Sequence, residues 1–311
     1  MFSTKPFNSI LDLIKAFPNE QKCIDHLEWI RWNGKVVSPY DSTSQVYKCP
    51  NNRYKCRNTN KYFNVRTNTI FEGTKIPLQQ WFIAIYLFTS HKKGISSVQL
   101  AKDLDITQKS AWFLLSRIRY AMDHSIFIQE MEGTIEVDET FVGGKNKNRH
   151  WDKKIKNSQG RSFKDKTPVF GALEKETGRV KCVVVPDTKA ESIQPIIYKT
   201  VKEGSVIVSD EWSAYNGLGK TYIHEVVDHG RGQYVNENGS TTNTIEGFWS
   251  QFKRGINGIY HVVSRKHLQK YADEFAFRYN NRNGTVNENF NLFLSSVEDR
   301  RITYKVLVNG C

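Results

Sequence analysis

Thr134-Ile-Glu-Val-Asp138-Glu-Thr-Phe-Val142 decides the fold of this chain. Ile135 and Val137 alternate with Glu136 and Asp138, the period-two pattern of a strand with an apolar face inward and a polar face outward. Gly143-Gly144 ends it. Further strands are predicted near residues 169–173 and 180–186, a helix over 190–201, an apolar strand at Val206-Ile-Val208, and a helix opening at Asn243. This order predicts an α/β protein with a mixed sheet.

Two acids fall on these strands and a third follows them. Asp138 lies mid-strand on the polar face, and Asp210 sits at the carboxyl end of its strand, where α/β proteins open a crevice for ligands. Glu246 lies in the first turns of the helix that opens at Asn243. Carboxylate oxygens suit Mg²⁺ or Mn²⁺, and a metal pair can stabilise both the attacking and the leaving oxygen of an in-line displacement. Glu246 has a rival reading. With Asn243 as N-cap, the two residues have the spacing of a capping box. Asn243 is also an alternative oxygen ligand for the third metal position. Lys253 stands two turns beyond Glu246 on the same helical face, where a compact charge can hold a phosphate, and Arg254 follows it.

The charge balance points to a polyanionic partner. The 311 residues carry a formal net charge of +13. Residues 1–130 hold 18 Lys and Arg against 10 Asp and Glu, while residues 145–166 hold 9 against 2. A basic front and a basic loop, which contains Lys153, Lys154, Lys156 and Arg161, fit a chain that grips double-stranded DNA through phosphate contacts. The longest apolar run, near residues 81–88, is too short to span a bilayer, and the start of the chain has no secretory apolar core. These features, with five scattered cysteines, predict a cytoplasmic protein without a disulfide framework.

Residues 1–75 read as a small β-rich module, and residues 78–89 as an apolar helix. Residues 91–120 read as a helix-turn-helix. Ser96 or Ser97 caps the first helix, Asp105-Ile-Thr107 makes the turn, and Ala111, Leu114, Leu115 and Ile118 face inward on the second. Gln108, Lys109 and Ser110 would then meet DNA at the start of a recognition helix, with Arg117 and Arg119 as a basic tail. From Ser264 another helix carries Leu268, Tyr271, Phe275 and Tyr279.

Together the blocks Ile135-Glu-Val-Asp-Glu-Thr-Phe-Val-Gly-Gly144, Ser209-Asp-Glu-Trp-Ser-Ala-Tyr-Asn216 and Thr242-Asn-Thr-Ile-Glu-Gly-Phe-Trp-Ser250 resemble the catalytic blocks of ISXO2-like (IS1595) insertion-sequence transposases. Lys253-Arg-Gly-Ile256, Ser264-Arg-Lys-His-Leu268 and Phe275-Ala-Phe-Arg-Tyr-Asn280 extend the likeness. The resemblance implies an RNase H-like core over residues 130–262, with residues 263–311 as its helical extension and a helix-turn-helix over 76–125. It implies Mg²⁺-dependent cleavage of DNA at the terminal inverted repeats of a mobile element, and strand transfer into target DNA by a homo-oligomer. Asp138, Asp210 and Glu246 would be the catalytic acids and Lys253 the accompanying lysine, with Asn243 an option in the third position.

Members of that family commonly begin with a four-cysteine zinc ribbon. Here Ser38-Pro-Tyr-Asp41 stands at the first ligand pair and Cys56-Arg-Asn-Thr59 at the second. A degenerate ribbon over residues 1–75, held by aromatic packing without zinc, is therefore expected. A different class of protein, a catalytically inactive DNA-binding relic of a transposase, would bind DNA unaffected by Asp138→Asn. A covalent recombinase using Tyr260 would need an Arg-rich site that the sequence lacks.

Overall fold

The computed structural model describes residues 6–123, 130–143, 150–154, 166–227, 235, 239 and 241–309. The chain divides into two compact units, one formed by Met1–His124 with Asn283–Cys311 and the other by Ser125–Arg282.

The first unit is mostly helical. Ser9 caps α1 (Ile10–Ala16) and Asn19 caps α2 (Glu20–Trp32), each through its side-chain oxygen. A three-stranded antiparallel sheet follows, in the order β1 (Val46–Cys49), β2 (Arg53–Cys56), β3 (Tyr62–Phe63). One face of it is closed by aromatic rings. Trp32 meets Tyr54 and Phe63 edge-on, at centroid distances of 5.4 and 6.1 Å. Burial pushes the Cys56 thiol up, but hydrogen bonds from Ser38, Ser44 and Thr59 outweigh it and bring its pKa to about 6.

Helix α3 (Leu78–Ser90) buries residues all round, including Trp81, Phe82, Ile85 and Phe88, and is the unit's central rod. The pair α4 (Ser97–Leu104) and α5 (Gln108–Ala121) begins at the expected caps. Ser96 accepts from the Gln99 N–H and Thr107 from the Ser110 N–H.

The chain's last segment is one departure from expectation. Residues 263–311 were expected to extend the core as a block, yet Asn283–Cys311 belongs with the N-terminal unit. A Thr285–Glu288 capping box starts α9 (Val286–Ser295). Its Phe290 is fully buried, with ring centroids 5.2 Å from Phe7 and 5.3 Å from Phe82. Arg31 donates to Glu298 at 2.7 Å. Rings that fill the centre of one core cannot serve another. The segment closes with α10 (Tyr304–Asn309).

The second unit is built on a five-stranded sheet in the order β6-β5-β4-β7-β8. The strands are β4 (Thr134–Gly143), β5 (Lys166–Glu174), β6 (Arg179–Val184), β7 (Val206–Asp210) and β8 (Ile223–Val227). The first three are antiparallel neighbours, whereas β7 and β8 run parallel to β4. Helix α6 (Ala190–Thr200) makes the crossover from β6 to β7. Its Ile193 and Ile197 pack with Ile135, Val137, Phe170, Ala172 and Ile207 on one face. The opposite face carries α7 (Asn243–Gly255) and α8 (Leu268–Asn280), whose Ile245, Phe248, Phe252, Leu268 and Phe275 cluster with Val142, Val169 and Leu173. Among the described residues, no helix is long and apolar enough to cross a membrane.

Candidate active site

Strand parity decides which face Asp138 joins. Ile135 and Val137 point toward α6, so Glu136, Asp138, Thr140 and Val142 share the α7 face. The parallel ladder pairs Glu136 with Val208. Asp138 and Asp210 each lie two residues beyond that pair, toward the same end of the two parallel strands.

Glu136 is fully buried, contrary to the outward, solvated reading of its alternation. Its carboxylate accepts from the Ile245 N–H at 2.9 Å and from the Thr244 hydroxyl at 2.9 Å. It therefore caps α7 from a neighbouring strand, satisfying donors that every helix start leaves open. Burial pushes its pKa up, opposed by those bonds and by Lys175. This arrangement replaces the expected capping box. Thr242, not Asn243, is the N-cap of α7 and makes no side-chain cap bond. Asn243 is the exposed first helical residue.

Gly171 lies opposite Asp138 in the β4–β5 ladder. A Cβ there would stand 2.5 Å from Cζ2 of Trp249 and 3.2 Å from Cδ1 of Ile245. A bare backbone at this position lets α7 lie close to the sheet.

Between the strand ends and α7 opens a cleft of about 560 Å³. Asp138, Glu139, Asp210, Glu211, Glu246 and Lys253 all line it, with Thr140, Thr242, Trp249 and Ser250. The structure thus brings together the expected acids and the expected lysine. Asn243 is not among the residues lining the cleft. Among the described residues, no three His, Cys, Asp or Glu side chains converge closely enough to hold a metal ion by themselves.

Neighbours set the orientation and charge of these groups. The Trp212 N–H donates to Asp210 at 3.1 Å, and its indole N–H donates to the Thr188 carbonyl at 2.9 Å. Tyr215 donates to Glu139. Burial, the Glu139 charge and that bond, with Asp138 and Asp210, push the Tyr215 hydroxyl far up, so it stays a donor. Partial burial lowers the Lys253 pKa, Asp138 opposes the change, and Lys166 adds to it. Sequence reasoning missed Glu136, Gly171, Trp212 and Tyr215. The available signal was their position inside or beside the acid-bearing strands.

The expected DNA contacts divide. Gln108, Lys109 and Ser110 form the first turn of α5, where Gln108 donates to the Ser97 hydroxyl at 2.8 Å and the Lys109 ammonium lies 5.3 Å from the Tyr304 ring centroid. Arg117 is a correction. It is buried, donates to the carbonyls of Ile70 and Glu72 at 2.7 and 3.0 Å, and covers the Phe113 ring. Its position on α5 shares the inward face of Leu114 and Ile118, so its charge is spent inside the unit. Arg119 is likewise buried. Lys154 and Arg254 are exposed. Lys153 belongs to a short turn, Trp151–Lys153. Lys156 and Arg161 lie outside the described residues.

Residues 130–280 match the family described as the ISXO2-like transposase domain. The chain is 27% identical over 277 residues to an uncharacterized protein in transposable element ISH50 of Halobacterium salinarum, covering 85% of this chain and 92% of that one. It is 29% identical over 104 residues to an uncharacterized transposase-like protein of Haemophilus influenzae, covering 33% and 82%. A crystal structure of a pre-cleavage Mos1 transpososome aligns over 67% of this chain and 75% of that one at 10% identity. Its TM-score of 0.19 is too low to carry an argument. Residues 130–280, within the unit that holds the acid-lined cleft, carry an ISXO2-like transposase domain.

Proposed function

We propose that the protein is an active DNA transposase. On this reading it cuts DNA at the terminal inverted repeats of an insertion sequence and joins the freed 3′-OH to target DNA. The observation that carries the reading is the meeting of Asp138, Asp210, Glu246 and Lys253 at one cleft. An RNase H-like assignment for the unit is supported by its strand order, with three antiparallel strands followed by two parallel ones.

The donor chemistry fits Mg²⁺ or Mn²⁺, because the described residues lining the cleft offer carboxylate oxygens. Asp138, Asp210 and Glu246 would hold the ions, a pair by the resemblance, with remaining positions left to water and phosphate oxygens. When bound, such ions supply charge stabilisation to the attacking and leaving oxygens. The chain's own residues do the rest. Lys253 holds a phosphate as a point charge. The Trp212 N–H fixes the Asp210 carboxylate, and Tyr215 fixes Glu139. Glu136 anchors α7 and thereby sets Glu246 and Lys253 against Asp138. The first turn of α5 would read the repeat, and the basic residues of 145–166 would add salt-dependent phosphate contacts. Joining two ends to one target calls for a homo-oligomer on DNA.

The test uses labelled DNA carrying the element's terminal repeat, incubated with Mg²⁺ beside an Asp138→Asn control. Nicking or joining at the 3′ end that needs both metal and Asp138 supports the proposal. Specific binding without cleavage would identify a DNA-binding relic instead.

A further inference from the structure

The small N-terminal sheet has a second face. Across the ladder Tyr47 stands opposite Lys55, and Lys55 opposite Tyr62, so these three residues form one row on one side of the sheet. The other side is the one closed against Trp32 by Tyr54 and Phe63. Tyr47 and Tyr62 are 50% and 49% exposed, whereas the neighbouring Phe63 is 3% exposed. They sit two strands apart, about 10 Å, too far to stack on each other, which leaves each ring to a separate planar partner.

Cations flank Tyr62 and the neighbouring Tyr40. The Arg53 guanidinium lies 4.5 Å from the Tyr62 centroid and the Lys55 ammonium 5.7 Å from it. At the edge, the Lys61 ammonium lies 5.1 Å from the ring of Tyr40, which is 41% exposed. From residue 42 to residue 71 the chain carries six Lys and Arg and no Asp or Glu. An exposed row of rings inside a purely cationic segment matches a ligand with π faces and a polyanionic backbone. Duplex DNA hides its base faces in the stack, while unpaired bases present theirs.

We propose that the Tyr47–Lys55–Tyr62 face binds single-stranded DNA, stacking unpaired bases on the two tyrosines while Arg53, Lys55 and Lys61 neutralise phosphates. The choice of DNA over RNA rests on the proposed transposase activity, which would expose unpaired strands at cut ends. The stacking itself does not depend on that activity.

The experiment is fluorescence anisotropy with the full chain carrying Asp138→Asn, in chelator, so that cleavage plays no part. The probes are a labelled single-stranded oligodeoxynucleotide, its duplex and the matching single-stranded RNA. Tyr47→Ala and Tyr62→Ala are each expected to weaken single-strand binding by about five- to a hundredfold, with duplex binding changed less than twofold. Tyr47→Phe and Tyr62→Phe keep the π face and the fold and should bind like the parent. Equal losses on single strand and duplex, no loss with either Ala variant, or tighter binding to RNA would each overturn the proposal. A parent chain that fails to nick its terminal repeat with Mg²⁺, while its Asp138→Asn form shows this binding pattern, would sink the transposase reading and leave the stacking face standing.

Discussion

Replacing Glu136 tests whether α7 is held from the strand beneath it. Glu136→Ala removes two hydrogen bonds of 2.9 Å. The Ile245 N–H, on a fully buried residue, is left without an acceptor, and a small void opens below it. An orphaned buried donor costs about 1–3 kcal/mol. The void adds to this, and the half-buried Thr244 hydroxyl recovers part of its loss by turning to water. Removing a carboxylate that burial disfavours offsets part of the rest. The sum is a loss of about 2–4 kcal/mol. For a unit of 158 residues, counted from 125 to 282, that lowers its melting temperature by roughly 5–15 °C.

Glu136→Gln separates hydrogen bonding from charge. Its carbonyl can accept from Ile245 and its amide can donate to Thr244, so stability should stay within about 1 kcal/mol of the parent. The pH dependence has a definite sign. A carboxyl group whose folded pKa is raised binds its proton more tightly in the folded state. Its stabilising contribution is full below the unfolded pKa and is lost as pH rises through the folded value. The parent should therefore lose stability relative to Glu136→Gln from about pH 4 upward. Urea unfolding, followed by circular dichroism at several pH values, reads all three proteins. An Ala variant within about 1 kcal/mol of the parent, or a Gln variant as damaged as the Ala variant, would refute the reasoning.

Further expectations follow from the same geometry. Gly171→Ala forces Trp249 and α7 off the sheet, which should cost about 1–3 kcal/mol and perturb Trp249 fluorescence; an unchanged unfolding midpoint would contradict this. Asp138→Asn removes the charge that raises the Lys253 pKa, so that pKa should fall further below its ordinary value. A nuclear magnetic resonance titration of the lysine side chains checks the direction, and an unchanged value would exclude the contact. Arg117→Ala orphans two carbonyls and should destabilise the N-terminal unit by about 2–4 kcal/mol without changing the duplex affinity of the folded fraction. A specific loss of DNA binding at full stability would restore Arg117 as a DNA contact.

The sequence made the strands of the second unit legible because period two and a continuous apolar run are local signals. The caps at Ser96 and Thr107 were readable for the same reason. What stayed hidden is relational. An alternating acid has the same appearance in water or under a helix, so Glu136 read as solvated until α7 was seen to cover it. An arginine near a helix end reads as a DNA contact until the carbonyls of Ile70 and Glu72 are found within its reach. Asn283–Cys311 follows α8 in sequence, but its aromatic residues complete a core begun more than two hundred residues earlier. Such pairings depend on sequence separations that no local pattern encodes.

The choice between Glu246 and Asn243 turns on helix phase. At about 100° per residue, seven residues place Glu246 and Lys253 within roughly 20° of each other, while Asn243 is turned about 60° from Glu246 and 80° from Lys253. Glu246 and Lys253 both line the cleft with the strand acids, and Asn243 does not. If α7 started one residue later, Asn243 would be the cap and Glu246 would be drawn back toward it. The observed start at Asn243, with Glu136 serving as the cap, removes that demand on Glu246. Glu246→Gln should therefore cut Mg²⁺-dependent nicking by more than the roughly 10–100-fold typical of losing an outer-shell partner of a metal ligand, and Asn243→Ala should leave it within a few fold. The reverse ranking, measured at matched stability, would mean that α7 turns when DNA and metal bind, and that the cleft as it stands is not the reactive arrangement.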